Sequence, residues 1–167
     1  MSASTYDNSS ISSLKGADRV RKRPAVIFGS DGIEGCEHSM FEILSNSIDE
    51  AREGFGNLIN ITRYLDHSIE VEDFGRGCPV EYNEREKRFN WELVYCEMYA
   101  GGKYKNNAGG NYEFSLGLNG LGACATQYSS EYMDVEVLRD GYKFNLHFEK
   151  GQNIGGLQKT KFRHRHT

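Results

Sequence analysis

No stretch of this 167-residue sequence approaches the roughly 20 consecutive apolar residues that a membrane-spanning helix needs. The N-terminus, Met1-Ser2-Ala3-Ser4-Thr5, has no apolar core of the kind that marks a secretory signal. No membrane role is expected, and a cytoplasmic setting is. Cys36, Cys78, Cys96 and Cys124 lie far apart without paired spacing, so reduced thiols are expected rather than a zinc centre or disulfides. Positive charge is not in surplus either. With 20 Lys and Arg against 24 Asp and Glu, the net charge of −4 gives no global attraction to nucleic acid, and any DNA contact must be local. No internal repeat is present. What remains is a length sufficient for one globular domain with a sizeable core.

The informative part is the run Phe41-Glu42-Ile43-Leu44-Ser45-Asn46-Ser47-Ile48-Asp49-Glu50. At about 100° per residue, Glu42, Asn46, Asp49, Glu50 and Glu53 share one sector of a helix, while Leu44, Ile48 and Ala51 fall roughly opposite. The apolar side is expected to pack on a sheet and the acidic side to look outward. A solvated surface helix has the same pattern. Asn46 favours a ligand-binding helix over a merely solvated one, because Asn is a poor helix former placed here mid-helix, four residues after a Glu. Its amide oxygen is a hard ligand suited to magnesium, which takes a few oxygen ligands together with water and phosphate.

Two further segments carry glycines in useful places. Ile69 and Val71 alternate with Glu70 and Glu72 as in a strand, which ends at Asp73 before Phe74-Gly75-Arg76-Gly77. An aspartate at a strand end beside such a turn can accept a hydrogen bond from an exocyclic amino group such as that of adenine, or it can be an incidental hairpin residue. Later, Gly117-Leu118-Asn119-Gly120-Leu121-Gly122 leads into Ala123-Cys124-Ala125-Thr126, which can start a helix. Amides at a helix start form an anion site that glycines leave accessible, although a flexible Gly-rich loop has the same composition. Neither the P-loop nor the dinucleotide fingerprint fits this order of glycines.

Elsewhere, residues 1–13 are polar and Ser-rich and read as an extended arm ahead of a domain over 14–167. A short helix is expected near Asp18 to Arg23, strands near Asn57 to Leu65 and Ser68 to Asp73, and a helix from about Trp91 to Tyr99. Gly101 to Tyr112 has the composition of a lid. Met133, Val135 and Val137 alternate with polar neighbours, Arg139-Asp140-Gly141 makes a turn, and Tyr142, Phe144, Leu146 and Phe148 continue on one face, which reads as antiparallel sheet. The basic stretch from Lys159 to His166 reads as a solvated loop.

Taken together, the segments resemble the ATP-binding boxes of the superfamily that unites gyrase, a heat-shock chaperone, histidine kinases and MutL. Within it they are most similar to the B subunits of bacterial type IIA DNA topoisomerases, gyrase or topoisomerase IV. The residues that carry this are 14–24, the Phe41 to Glu50 run, Asp73 to Pro79, Ala100-Gly101-Gly102-Lys103-Tyr104, and Gly117 to Gly122. The resemblance implies an α+β two-layer sandwich of the Bergerat type, a mixed, mostly antiparallel sheet with helices on one face. It implies ATP and Mg2+ as cofactors. Glu42 would be the general base, supported by His38; Asn46 would bind the metal and Asp73 the adenine amino group. Gly77 would give space beside the base, and Ile43, Glu50 and Pro79 would line the same site. Arg76, paired with Glu50, and Arg139 would form the rim on which coumarin-type inhibitors rest. Residues from Ala100 to Leu118 would fold over the triphosphate with Lys103 close to it, and the segment Gly117, Leu118, Asn119, Gly120, Leu121 and Gly122 would cradle the phosphates. Tyr6, with Ile11, would lie on an arm that reaches a partner protomer when ATP drives homodimer closure, in a protein that also engages an A subunit and DNA.

Some positions depart from the family. Asn119 stands where a His is frequent, Ser45 replaces a frequent Asp, and Phe74 often has a polar counterpart. The resemblance also implies a following Gly-Thr strand, a transducer domain and a DNA-cleavage domain without counterparts in these 167 residues, so a fragment with weak turnover of its own is expected. Two alternatives stay open: a histidine-kinase- or MutL-like ATP domain, and a non-catalytic nucleotide-binding module of the same fold.

Overall fold

The computed structural model describes residues 13–99 and 121–162. Among them the order is α1 (Asp18–Arg21), α2 (Pro24–Phe28), α3 (Ile33–Arg52), β1 (Ile59–Arg63), β2 (Ile69–Asp73), β3 (Tyr82–Asn83), β4 (Arg88–Phe89), α4 (Asn90–Cys96), α5 (Gly122–Ser129), β5 (Tyr132–Arg139), β6 (Tyr142–Glu149) and β7 (Gln152–Lys161). The strands form three antiparallel pieces, β1-β2, β3-β4 and β5-β6-β7.

The largest piece owes its register to two tight turns. Arg139 pairs with Tyr142 across Asp140 and Gly141, which sit at φ +53° and +77°, and Glu149 pairs with Gln152 across Lys150 and Gly151 at +48° and +89°. Positive φ at both central residues matches the right-handed twist of the flanking strands. Along β6 the period of two buries Phe144, Leu146 and Phe148 and turns Lys143, Asn145 and His147 to the other face. Tyr95 of α4 and Ala123 of α5 pack on the buried row. A second cluster, Val20, Phe28, Cys124, Ala125 and Tyr128, joins α1, α2 and α5. Helices therefore cover one face of the sheet, the α+β layering that the sequence implies. No helix among the described residues is long and apolar enough to cross a membrane.

Several boundaries differ from expectation. The basic stretch read as a loop is strand as far as Lys161, and β7 shifts register against β6 between Asn145 and His147, close to Gly155 and Gly156 at φ +83° and +70°. That irregularity breaks the period-two signal by which a strand is recognised. The first helix stops at Arg21, and α2 starts with Pro24 at its N-terminus and ends on Gly29 in the left-handed region. The helix near Trp91 ends at Cys96 rather than Tyr99.

Arg21 ties the first helix to the last one before the sheet. Its guanidinium donates to the carbonyls of Tyr128, Ser129 and Ser130, the last at 2.8 Å, and to Glu131 at 2.8 Å. These are the otherwise unpaired carbonyls at the C-terminus of α5, where a cation is also favoured by the helix dipole. Arg21→Ala is expected to lower unfolding free energy by about 1.5–3 kcal/mol, with Arg21→Lys intermediate, as read from the urea midpoint. Equal midpoints for all three chains would show that the cap contributes nothing.

Candidate functional site

Helix α3 is the spine of the site. Its start is tight: a Cβ on Gly35 would fall 2.2 Å from the Ser30 carbonyl oxygen, so the helix can begin there only with glycine at this position. From it His38, Glu42, Asn46 and Glu50 project at four-residue spacing, one side of the helix over about 18 Å. Each meets a different neighbour.

Glu42 faces both His38 and α5. His38 Nδ1 lies 3.1 Å from the Phe28 carbonyl, which can only accept, so Nδ1 carries the proton of that bond. The other ring nitrogen, Nε2, is 3.3 Å from Glu42 Oε1, a contact that is attractive when a proton lies between them. On the opposite side Gly122 opens α5, and a Cβ there would lie 2.2 Å from Glu42 Oε2. The carboxylate thus sits against the first turn of α5, whose amides have no partners within the helix. Asn46 is exposed and donates from Nδ2 to the Glu42 carbonyl at 3.0 Å, which leaves Oδ1 as its outward oxygen. Leu121, just before α5, is partly buried.

Asp73 closes the far wall. Its Oδ2 accepts from Ser47 at 2.7 Å and its Oδ1 from the Gly75 amide at 3.0 Å, so both oxygens are oriented while the residue remains exposed. Gly77 lies at φ +74°, and a Cβ on it would stand 2.9 Å from both the Leu138 carbonyl and Val137 Cγ1. Pro79 is exposed and Ile43 is partly covered, while Val80, next to Pro79 in the chain, is buried with Val137 and Phe144. Arg139 donates to the Gly77 carbonyl at 2.7 Å. Arg76 binds Glu50 through Nε at 2.6 Å and Nη2 at 2.9 Å, and Glu53 at 2.7 Å. These carboxylates hold its charge even more firmly than usual. Arg76, Arg139 and the β5-β6 turn border a groove of about 380 Å³, with Leu138, Tyr142 and Phe162 as its apolar lining.

Most of the residues singled out in the sequence therefore converge: His38, Glu42, Asn46, Glu50, Asp73, Arg76, Gly77, Gly122 and Arg139 are linked through direct neighbours. Tyr6, Ile11, Lys103, Gly117, Leu118, Asn119 and Gly120 lie outside the described residues, as does the expected lid. One expectation for α3 fails. Asp49 does not look outward with the other acids but is 4% exposed, beside Arg52 at 4.0 Å. Ser47, also buried, orients Asp73 and is a residue of the candidate site that the sequence alone does not single out; a hydroxyl residue of poor helix propensity next to Asn46 is its only signal. Burial pushes the thiols of Cys78 and Cys96 up to about 11 and that of Cys124 to about 12, so these three are protonated at neutral pH.

Among known proteins, the DNA gyrase B protein of Thermotoga maritima is 39% identical over 149 residues, and that of Thermus thermophilus 40% over 148; each match covers 89% of this chain. The fold agrees. The 43K ATPase domain of Thermus thermophilus gyrase B, solved with an aminocoumarin, superposes with a TM-score of 0.71 at 31% identity, covering 89% of this chain and 36% of that one. The chain belongs to the gyrase B family of ATPase domains. The ATP-binding domain of Francisella tularensis topoisomerase IV, solved with a small-molecule inhibitor, gives 0.70 at 32% identity, with 89% and 66% covered. No model in a scan of protein families matches. The chain spans 23% of the length of the two gyrase B relatives. Within the gyrase B family, then, its described part holds α3, the Asp73 turn and the start of α5 together.

Proposed function

We propose that this domain binds ATP with Mg2+ and hydrolyses it, and that in a complete type IIA topoisomerase B subunit this powers closure of two protomers for DNA strand passage. The observation that carries the proposal is the continuous ladder on α3, which joins a carboxylate, an amide oxygen and an oriented aspartate to the start of α5. Asp73, its oxygens fixed by Ser47 and the Gly75 amide, accepts from the adenine amino group. Gly77 and Ile43 border the ring. Glu42 takes the proton of the attacking water as the water oxygen bonds to the γ-phosphorus, the bond to the β-γ bridging oxygen breaks, and ADP leaves. His38, anchored to the Phe28 carbonyl, supports Glu42 in its carboxylate form when it carries the shared proton.

The donor set also fits magnesium. Asn46 offers one hard oxygen, which suits an ion that takes few protein ligands and keeps water and phosphate oxygens. When bound, the metal neutralises phosphate charge. The phosphates themselves are assigned to the amides of 117–122, with Lys103 close by.

We assign Arg76 and Arg139, which border the groove, as the rim for coumarin-type inhibitors; the Thermus relative was solved with an aminocoumarin. Homodimer closure through the arm carrying Tyr6, and partnership with an A subunit and DNA, belong to the same proposal for the full-length protein. The four cysteines are free, in keeping with a cytoplasmic setting.

Thermal denaturation with an ATP analogue, ADP and an aminocoumarin tests this reading. A ligand at about 100-fold over its dissociation constant should add about 2.7 kcal/mol when it binds only the folded state. No shift with any of the three would sink the nucleotide-site reading.

A further inference from the structure

Phe55 touches Arg76 yet has no part in the function proposed above. Its position is set with unusual care by the end of α3. Gly54 N–H donates to the Ala51 carbonyl at 3.0 Å and Phe55 N–H to the Glu50 carbonyl at 3.1 Å, the paired bonds of a Schellman terminus, with Gly54 at φ +90°. Gly56, on the other side, lies at φ +80°, and a Cβ on it would meet the Phe74 backbone at 3.0 Å. A Schellman terminus commonly brings the residue after its glycine against the side chain five positions earlier. Here those residues are Phe55 and Glu50, and the guanidinium that Glu50 grips lies on the ring: Arg76 Cζ is 3.6 Å from the Phe55 centroid.

The guanidinium is thus pinned along its edge by Glu50 and Glu53 and covered on one face by Phe55. The same arginine borders the groove. Arginine is a flexible side chain, and holding it in place before a ligand arrives removes part of the cost of ordering it on binding. We propose that Phe55 is a positioning residue for Arg76 and thereby strengthens the binding of aromatic ligands that contact this guanidinium in the groove. Nucleotide binding does not depend on it, because Asp73 is held by Ser47 and Gly75 instead. The inference rests on the reading of this groove as the inhibitor rim.

The test compares Phe55→Leu, which keeps apolar bulk but removes the ring face, with Phe55→Tyr, which keeps it. Dissociation constants for an aminocoumarin and for a non-hydrolysable ATP analogue are measured calorimetrically on each chain. Phe55→Leu is expected to weaken the aminocoumarin by about 2- to 5-fold, the range of an exposed cation–π contact, with Phe55→Tyr like the wild type and the analogue unaffected throughout. Unchanged aminocoumarin affinity in Phe55→Leu overturns the positioning role. So does equal weakening of both ligands, which would mark a general structural effect. A wild-type chain that binds the analogue but no aminocoumarin would instead remove the rim reading, and the inference with it.

Discussion

Glu42→Gln should bind an ATP analogue as the unmodified chain does and hydrolyse ATP about 10²–10⁴-fold more slowly, the usual contribution of a positioned acid-base group. The substitution keeps the shape and a hydrogen-bonding oxygen but removes the group that takes the water proton. Two neighbours sharpen the test. Gly122→Ala would put a Cβ 2.2 Å from Oε2 and 2.9 Å from Glu42 Cβ, so the carboxylate or the start of α5 has to move. It is expected to slow turnover while leaving Glu42 chemically intact. His38→Gln, which loses the contact at 3.3 Å without displacing the carboxylate, should cost less than either. Single-turnover hydrolysis of labelled ATP with protein in excess reads all three, even where steady-state turnover is slow. A Glu42→Gln chain with an unchanged single-turnover rate would take Glu42 out of the chemistry.

Glu42, Asn46 and Asp73 are legible in the sequence because the helix repeat puts the first two on one face and a strand ending before a glycine turn places the third, whereas Arg76 is singled out only by the family resemblance. Their partners are not legible. Ser47 acts on Asp73 across 26 residues of sequence, a contact that no local pattern encodes. Asp49 reads as solvated because an acid on a polar helix face usually is, whereas packing around α3 buries it. Phe55, between two glycines, looks like loop; its contact with Arg76 exists only in the tertiary structure. The same physics hides β7 at the level of the fold. Its register shift and its Gly155-Gly156 pair remove the alternation on which strand recognition depends, while Leu157 still reaches the core. The sandwich is legible from β5 and β6, whose alternation is unbroken and whose Asp-Gly turn fixes their pairing.

Asp73→Asn should weaken ATP binding itself, by about 10- to 100-fold, the scale of a hydrogen bond to a charged group. The reason lies in the two bonds already made. Gly75 N–H points at Oδ1 and can only donate, so the new amide cannot place its nitrogen there without opposing one donor with another. The nitrogen must take the Oδ2 position, where the Ser47 hydroxyl can rotate to accept from it. The folded chain can thus accommodate Asn, and its thermal midpoint without ligand should scarcely change. The ligand cannot make the same adjustment: an adenine amino group aimed at that position would meet a donor, and the negative charge that strengthens the bond is gone. Discrimination should fall together with affinity. An oriented carboxylate disfavours a base that lacks the amino group, so ATP should bind more tightly than inosine triphosphate to the unmodified chain. In Asp73→Asn the two nucleotides should bind alike. Isothermal titration with both nucleotides decides it: if the variant lost affinity for ATP and for inosine triphosphate by the same factor, Asp73 would be holding the fold of the pocket rather than reading the base.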